Sequence, residues 1–320
     1  MHYDIFNGDA DGIIALLQLR WDQPLDSKLI TGVKRDVSLV ERIIHAQDIS
    51  SLTVLDISLD KNRTSLIHLL EKNIPTFYCD HHRAQDIPQS DCLTTLINTD
   101  AQVCTSLLIN QKLRGKYEYW AIAAAYGDNL YERAEAICEK LAVTLEQREF
   151  LKSLGTLINY NGYGATLDDL LFHPAELFHK LYTYSDPFKL FAEPNSAYWQ
   201  LKAGFEQDWQ HAQTVKPEFE SARLAVFTLP NTPWARRISG SLSNHLANQH
   251  PDRAHLVLTL NPNEKDYAVS LRAPLSNRTG ADEICSQFET GGGRKAAAGI
   301  NKLPVKLKNQ LTETTSAYYA

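Results

Sequence analysis

At 320 residues the chain is longer than one average domain and suits two of modest size, and its 43% hydrophobic and 22% charged content is that of an ordinary globular protein. No apolar run approaches the ~18 residues needed to span a bilayer, and the opening MHYDIFNGDADG lacks the basic stretch and apolar core of a signal peptide. The cysteines Cys79, Cys92, Cys104, Cys138 and Cys285 form no CxxC pair, a pattern of reduced thiols that predicts a cytoplasmic protein without a membrane partner. A net charge of −6 argues against a broad basic surface of the kind that grips long duplex nucleic acid. It leaves room for a short anionic substrate, because a carboxylate cluster loaded with divalent cations becomes locally positive.

Along the first half, short β-rich runs alternate with helical patterns. HYDIF (2–6) reads as a strand and GIIALLQLRW (12–21) as a helix with an apolar face. LITGV (29–33) is the next strand, followed by a helix over VSLVERIIHAQ (37–47). SLTVLDIS (51–58) is a buried strand, KNRTSLIHLLEKN (61–73) an amphipathic helix and PTFYCD (75–80) a further strand. This alternation predicts a mostly parallel sheet with helices on both faces. From 102 to about 215 the pattern is helical, with an aromatic loop at NYNGYG (159–164). Strand signals then return in ARLAVFTL (222–229), AHLVLTLN (254–261) and DYAVSLRA (266–273). Between the first two lies a helix, WARRISGSLSNHLANQ (234–249), and a short helix at 280–288 runs into GGGRKAAAGI (291–300). The second half therefore reads as a smaller α/β domain, with a linker point near Lys216-Pro217.

In open α/β sheets functional groups collect beyond the carboxyl ends of the strands. The first strand delivers Asn7, Asp9 and Asp11 there, in FNGDADG, where Gly8 and Gly12 allow a tight turn. Taken alone, D-x-D is equally a turn in which Asp11 caps the following helix. The strand 51–58 ends in Asp56, an acid within an apolar run that is costly unless solvated, paired or bound to metal. The strand 75–80 ends in Asp80-His81-His82, where His81 or His82 can ligate a metal and Asp80 can orient a ring from behind. Asp128, after Gly127, supplies a further acid, or simply ends a helix. Together, carboxylates with one imidazole suit Mn2+ or Mg2+ better than a structural zinc. Two such ions, roughly 3.5–4 Å apart, can clamp a phosphoryl group and activate water for hydrolysis. In the second half, Arg272 on a strand and Gly291, Gly292, Gly293 and Arg294 form an anion grip through backbone N–H groups and guanidinium forks, unless the glycines are only a flexible loop. Arg83 is a further phosphate contact or a solvated charge, and Tyr160 and Tyr163 could stack a base or merely pack.

DADG (9–12), VLDIS with Asp56, DHH (80–82), GDN with Asp128 and SLR…GGG-x-x-AAG (270–299), in this order, resemble the DHH/DHHA1 phosphoesterases, which include RecJ exonuclease and the nanoRNA and pAp phosphatases. The resemblance covers nearly the whole chain. It implies an α/β fold: a parallel-sheet DHH domain over 1–190 with helices on both faces, a helical linker over 191–217 and a smaller α/β DHHA1 domain over 218–320, with cleavage in the cleft between the domains. It implies two Mn2+ ions, or Mg2+, held by Asp9, Asp11, Asp56, His81 and Asp128, with Asp56 bridging. His82 would act on the scissile phosphate, backed by Asp80, while Arg272, Gly291, Gly292, Gly293 and Arg294, with Arg83 and Asn7, would hold the substrate. Three positions depart from the family pattern. Ile5 stands where many members have a histidine, Asn7 where RecJ-like members have an acid, and Arg294 where His usually follows GGG. The first two leave the ion at Asp9 short of a strong ligand.

The function expected from these residues is metal-dependent hydrolysis of very short oligonucleotides, including linear dinucleotides such as pGpG and nanoRNA, to mononucleotides by a monomer or homodimer. The alternatives are a phosphatase acting on pAp-like nucleotides, and a nucleotide-binding protein with a weakened metal centre.

Overall fold

The apolar runs at the start of the chain pair side by side in one direction. β1 (His2–Phe6), β2 (Ser27–Ile30), β3 (Ser51–Leu55), β4 (Thr76–Asp80) and β5 (Leu93–Ile97) form a wholly parallel five-stranded sheet in the order β2-β1-β3-β4-β5. The computed structural model describes residues 1–320. It divides into two units, residues 1–162 with 166–203 and residues 163–165 with 204–320. In the first unit α1 (Ala10–Asp22) follows β1 and α2 (Leu59–Glu71) follows β3. After β5 come α3 (Thr105–Lys112), α4 (Glu118–Gly127), α5 (Tyr131–Lys140), α6 (Leu145–Asn161), α7 (Pro174–Tyr182), α8 (Phe188–Ala192) and α9 (Ala197–Gln213), the last of which holds the unit boundary. Because β2 and β3 lie on opposite sides of β1, the chain reverses its direction of travel between β1 and β3, and it is beyond the carboxyl ends at such a reversal that doubly wound sheets bind ligands.

Successive β1 residues point to opposite faces. Tyr3 and Ile5 join the core formed with Leu66, Leu69 and Leu70 of α2. Asp4, fully buried, meets Arg20 of α1 through two hydrogen bonds of 2.5 and 2.8 Å. Ser27 Oγ donates to the same carboxylate at 2.6 Å, and His2 Nε2 lies 3.1 Å from it. Burial alone would raise the Asp4 pKa, but Arg20, His2 and Ser27 overcome that and hold it below the ordinary carboxylate range. At the other end of α1 the packing is by glycine. A Cβ on Gly127 would stand 2.6 Å from Ala10 Cβ and 2.8 Å from the Gly155 carbonyl, so only hydrogen lets α4 sit this close to α1 and α6. That approach carries Asp128, which follows Gly127, over the loop after β1.

In the second unit β7 (Leu224–Leu229), α10 (Pro233–Gln249) and β8 (Ala254–Leu260) form a parallel βαβ element. The short β6 (Phe219–Glu220) flanks β7, and β9 (Asp266–Arg272) pairs antiparallel with β8. Then follow α11 (Ala281–Cys285), β10 (Gly291–Arg294), β11 (Ala297–Pro304) and α12 (Lys308–Tyr318), giving a six-stranded mixed sheet in the order β10-β11-β9-β8-β7-β6. Leu256, Leu258, Val269, Leu271 and Ile300 fill its core with Ile284 and Leu311. No helix of the chain is long and apolar enough to cross a membrane, and all five cysteines are free.

The helix expected over 37–47 shrinks to a single turn at Val40–Ile43. Asn62 of α2 takes up the backbone instead, accepting from Val40 N at 3.1 Å and donating to the Val37 carbonyl at 2.6 Å, which satisfies the groups a helical ladder would have used. The expected strand 29–33 sits earlier, ending at Ile30, and β5 escaped the sequence reading because its short half-exposed run LTTLI lies within turn-forming residues. The glycine triplet is no loop: it is the edge strand β10, with Gly292 opposite Gly299.

Replacing Asp4 with Ala strands the buried Arg20 charge, a loss of the kind that costs about 3–5 kcal/mol. Urea unfolding should show that drop. Because the Asp4 pKa is depressed, its stabilisation is present above the unfolded carboxylate pKa and lost as pH falls through the folded value, so the gap between wild type and Asp4→Ala should narrow in acid. An equal gap at neutral and strongly acidic pH would contradict this account.

Candidate functional site

Beyond the carboxyl ends of β1, β3 and β4 the structure brings together Asp9, Asp11, Asp56, Asp80, His81 and His82, and α4 delivers Asp128 to the same place. His81 is the hub. Its Nδ1 lies 3.0 Å from the Val103 carbonyl, which can only accept, so that nitrogen carries a proton and the neutral ring presents its lone pair at Nε2. Around Nε2 stand carboxylate oxygens of Asp56 at 3.4 Å, Asp11 at 3.9 Å and Asp128 at 3.9 Å. Asp56, His81 and His82 present ligand atoms all within 4.8 Å of one another, a group that could hold a divalent cation, with Asp11 and Asp128 beside it.

Each acid is fixed by different local structure. Asp11 sits at the N-terminus of α3, where Ser106 N donates to Oδ1 and Thr105 N to Oδ2, both at 2.7 Å. The partial positive charge of that helix end suits a carboxylate, and each oxygen keeps a second lone pair. Asp9, not Asp11, caps α1: its Oδ1 accepts from Asp11 N and Gly12 N at 3.0 and 3.1 Å. Asp56 leaves β3 with φ +57°, a left-handed conformation that few residues other than Gly, Asn and Asp adopt readily. Asp128 caps the C-terminus of α4, and its Oδ2 is buried with no hydrogen-bond partner. A buried carboxylate oxygen left unsatisfied 3.9 Å from the His81 lone pair is a ligand atom held ready for a cation.

The electrostatics agree. Burial, reinforced by Asp11, Asp9, Asp80 and Asp128, pushes the Asp56 pKa well above its ordinary value. Asp128 is likewise raised, by burial and then by Asp11 and Asp9, although Lys34 opposes this. Asp9 alone among these shifts downward: burial works against it, but the Lys34 ammonium, the Gly12 N–H and a hydrogen bond with Asp56 prevail.

Asp80 does not orient His81. It is fully buried, and its Oδ1 accepts from His81 N at 2.9 Å and from His82 Nδ1 at 2.7 Å. The His82 ring is partly exposed beside that of His81, with centroids 4.6 Å apart. Burial disfavours its charged form, yet the Asp80 hydrogen bond and the charges of Asp80, Asp128 and Asp9 hold its pKa above the ordinary value.

The sequence reading missed Lys34, whose Nζ lies 2.5 Å from Asp9 Oδ2 and 2.8 Å from Asn159 Oδ1. It also missed Val103, Thr105 and Ser106, whose contribution is mostly backbone. Asn7 is buried, donating from Nδ2 to the Lys34 carbonyl at 3.3 Å while its Oδ1 has no partner. Arg83 is exposed on the loop after β4, with no hydrogen bond or ion pair to the cluster. Tyr160 is fully buried in α6 and cannot stack a base.

In the second unit Arg272 projects from β9 on the α10 side of the sheet. Its Nε donates to Asn244 Oδ1 and its Nη1 to Ser270 Oγ, both at 2.8 Å, which fixes the plane of the guanidinium. Burial presses its pKa down and Arg294 adds to this, while Tyr163 opposes it. The Tyr163 ring packs over Gly240 of α10, where a Cβ would come within 3.0 Å of it. Two arginines near one another, the first fixed by neutral groups, make a site suited to an anion. In β10, Gly293 has φ +147° and Gly292 has open space where a Cβ would be, so the backbone there is accessible to a ligand.

Asp56→Asn tests the electrostatic reading of the cluster. It removes a repelled charge and keeps a residue that tolerates positive φ, so in chelator the variant should melt a few degrees higher, on the order of 1 kcal/mol. The rise in melting temperature that Mn2+ or Mg2+ gives the wild type should vanish. A variant less stable in chelator, or one that keeps the metal-induced rise, would show that the carboxylates are not held in mutual repulsion awaiting a cation.

No protein-family model matches the sequence, and no curated protein is detectably similar to it. Solved structures are similar in fold. Exonuclease RecJ bound to manganese superposes with a TM-score of 0.58 at 16% identity, over 99% of this chain and 89% of that one. RecJ from Thermus thermophilus in complex with Mn2+ gives 0.60 at 15% identity, over 99% of this chain and 52% of that longer one. The pGpG-specific phosphodiesterase PggH from Vibrio cholerae gives 0.55 at 12% identity, over 99% and 98% of the two chains. The chain thus has the two-domain DHH/DHHA1 fold of the RecJ-like phosphoesterases.

Proposed function

We propose that the chain is a divalent-metal-dependent phosphodiesterase that hydrolyses very short oligonucleotides, linear dinucleotides such as pGpG among them, to mononucleotides. The observation that carries this reading is the His81 lone pair facing Asp11, Asp56 and Asp128 at 3.4–3.9 Å, on the strand ends where such folds do chemistry. These four residues would hold a divalent ion, Mn2+ or Mg2+. When bound, that ion supplies Lewis acidity toward a phosphoryl oxygen and acidifies a water molecule.

The chain's own residues supply the rest. His82, whose charged form Asp80 favours, offers an Nε2 proton to a non-bridging phosphate oxygen, where negative charge grows as the transition state forms. Asp80 is buried and fixes the ring through Nδ1, so the donor is oriented before substrate arrives. The exposed side of His82 leaves that proton accessible.

Recognition falls to the second unit. The Arg272 fork, held by Asn244 and Ser270, suits a phosphate or a base edge, and Arg294 and Tyr163 beside it suit a nucleotide rather than an inorganic anion. Gly292 and Gly293 add accessible backbone, while Gly291 lets β10 pass close to the Cys285 carbonyl. A fold shared along nearly the full length with a pGpG-specific phosphodiesterase supports a short substrate. A net charge of −6 gives no general attraction for long nucleic acid.

A panel of 5′-labelled oligonucleotides of graded length, with cyclic dinucleotides and pAp alongside, tests the reading. Linear dinucleotides should be cleaved fastest in Mn2+ or Mg2+, and chelator should abolish turnover. Preferred cleavage of long strands, or of pAp alone, would refute it. His82→Ala should lower kcat by about 10²–10⁴-fold with the melting temperature little changed. Arg272→Ala should act mainly on KM for the dinucleotide, leaving metal affinity intact. If Arg272→Ala leaves both KM and the product pattern unaltered, the anion grip lies elsewhere.

A further inference from the structure

The two ends of the carboxylate cluster are chemically unlike. At the His81 end three carboxylates and a lone pair converge, and a buried Asp128 oxygen has no partner. At the Asp9 end the carboxylate is already used on both sides. Oδ1 receives Asp11 N and Gly12 N as the cap of α1, and Oδ2 receives the Lys34 ammonium at 2.5 Å. Lys34 is held there by Asn159 Oδ1 at 2.8 Å and by packing: its side chain is only a quarter exposed. Its backbone is tied down as well, with Lys34 N donating to the Gly162 carbonyl at 2.8 Å and Asn7 Nδ2 to the Lys34 carbonyl. Asp56 also interacts with Asp9, and the buried side chain of Asn7, which reaches the Lys34 carbonyl, is a neutral amide.

We propose that Lys34 is a built-in cation that takes the place of a second metal ion, so that the centre holds one divalent ion, at Asp11, Asp56, His81 and Asp128. This deepens the metal-dependent reading above and rests on it. The ammonium is a fixed positive charge in contact with the one carboxylate that an ion at that end would need most. A divalent cation could enter only by displacing it from Asp9 and Asn159, or by sitting beside it against a repulsion that low-dielectric surroundings strengthen. A lysine is a compact point charge with several donors, able to neutralise Asp9 and still offer a hydrogen bond outward. The centre would then resemble a two-cation clamp in charge but not in chemistry, since an ammonium donates protons and does not acidify water. Asp56 accordingly becomes a ligand of one ion, not a bridge between two ions.

Metal counting on the full-length protein decides this. Calorimetric titration with Mn2+ should give one ion per chain, and low-temperature electron paramagnetic resonance of the loaded protein should show the six-line signal of an isolated Mn2+. Lys34→Met keeps the length of the side chain and removes the charge. It should gain a second, weaker Mn2+ and a broadened, exchange-coupled spectrum, with the first ion's affinity little altered. Two ions in the wild type overturn the proposal while leaving the metal-dependent reading intact. So does one ion in both proteins, because Lys34 would then not be what excludes the second. No bound ion in either protein overturns both readings. The wild-type count stands by itself should Lys34→Met fail to fold.

Discussion

Four carboxylates, Asp9, Asp11, Asp56 and Asp128, crowded at one sheet end are the constraint on which the rest of the first unit depends. Like charges at such distances, out of water, are costly to keep together. The chain offsets the cost by particular devices: the α3 N-terminus on Asp11, the Lys34 ammonium on Asp9, and burial with a raised pKa for Asp56 and Asp128. Asp56 also pays in backbone conformation, since its φ of +57° is tolerated only where the surroundings enforce it. Such strain is expected where residues are placed for chemistry and not for packing.

The scaffold absorbs this cost at sites remote from the cluster. Asp4 and Arg20, with His2, Ser27 and Thr53, lock β1, β2, β3 and α1 together at the amino-terminal half of the sheet. That network is a buried ion pair with its hydrogen bonds satisfied, whereas the carboxyl end carries orphaned oxygens on Asp80 and Asp128. One element, β1, serves both ends: its first residues fasten the sheet, and the loop it feeds presents the acids. The glycine contacts of α4 with α1 and α6 then bring in Asp128, which no strand could have supplied.

Much of this was legible in the sequence, for a physical reason. Acids and histidines at the ends of apolar strands are costly unless used, so Asp9, Asp11, Asp56, His81 and His82 stood out against β1, β3 and β4. The strand–helix alternation pointed to the parallel sheet because hydrophobic period is a local property. What escaped was set by tertiary contact. The 37–47 segment has a helical pattern, yet Asn62 captures its backbone. Asp80 turned out to serve His82 while Val103, through a carbonyl that every residue possesses, serves His81. Lys34 looks like any surface lysine in GVKRD, and only the fold brings it to Asp9 and Asn159. Asn244, midway along α10, gave no sign that it would hold Arg272.

The two units carry opposite unmet charge. The first gathers carboxylates around a lone pair and wants a cation; the second gathers Arg272 and Arg294 among neutral groups and wants an anion. A net charge of −6 conceals both, because each is local. Each demand is met within its own unit: the carboxylates around His81 suit a divalent cation, and the Arg272 fork, fixed by Asn244 and Ser270, suits a phosphate or carboxylate.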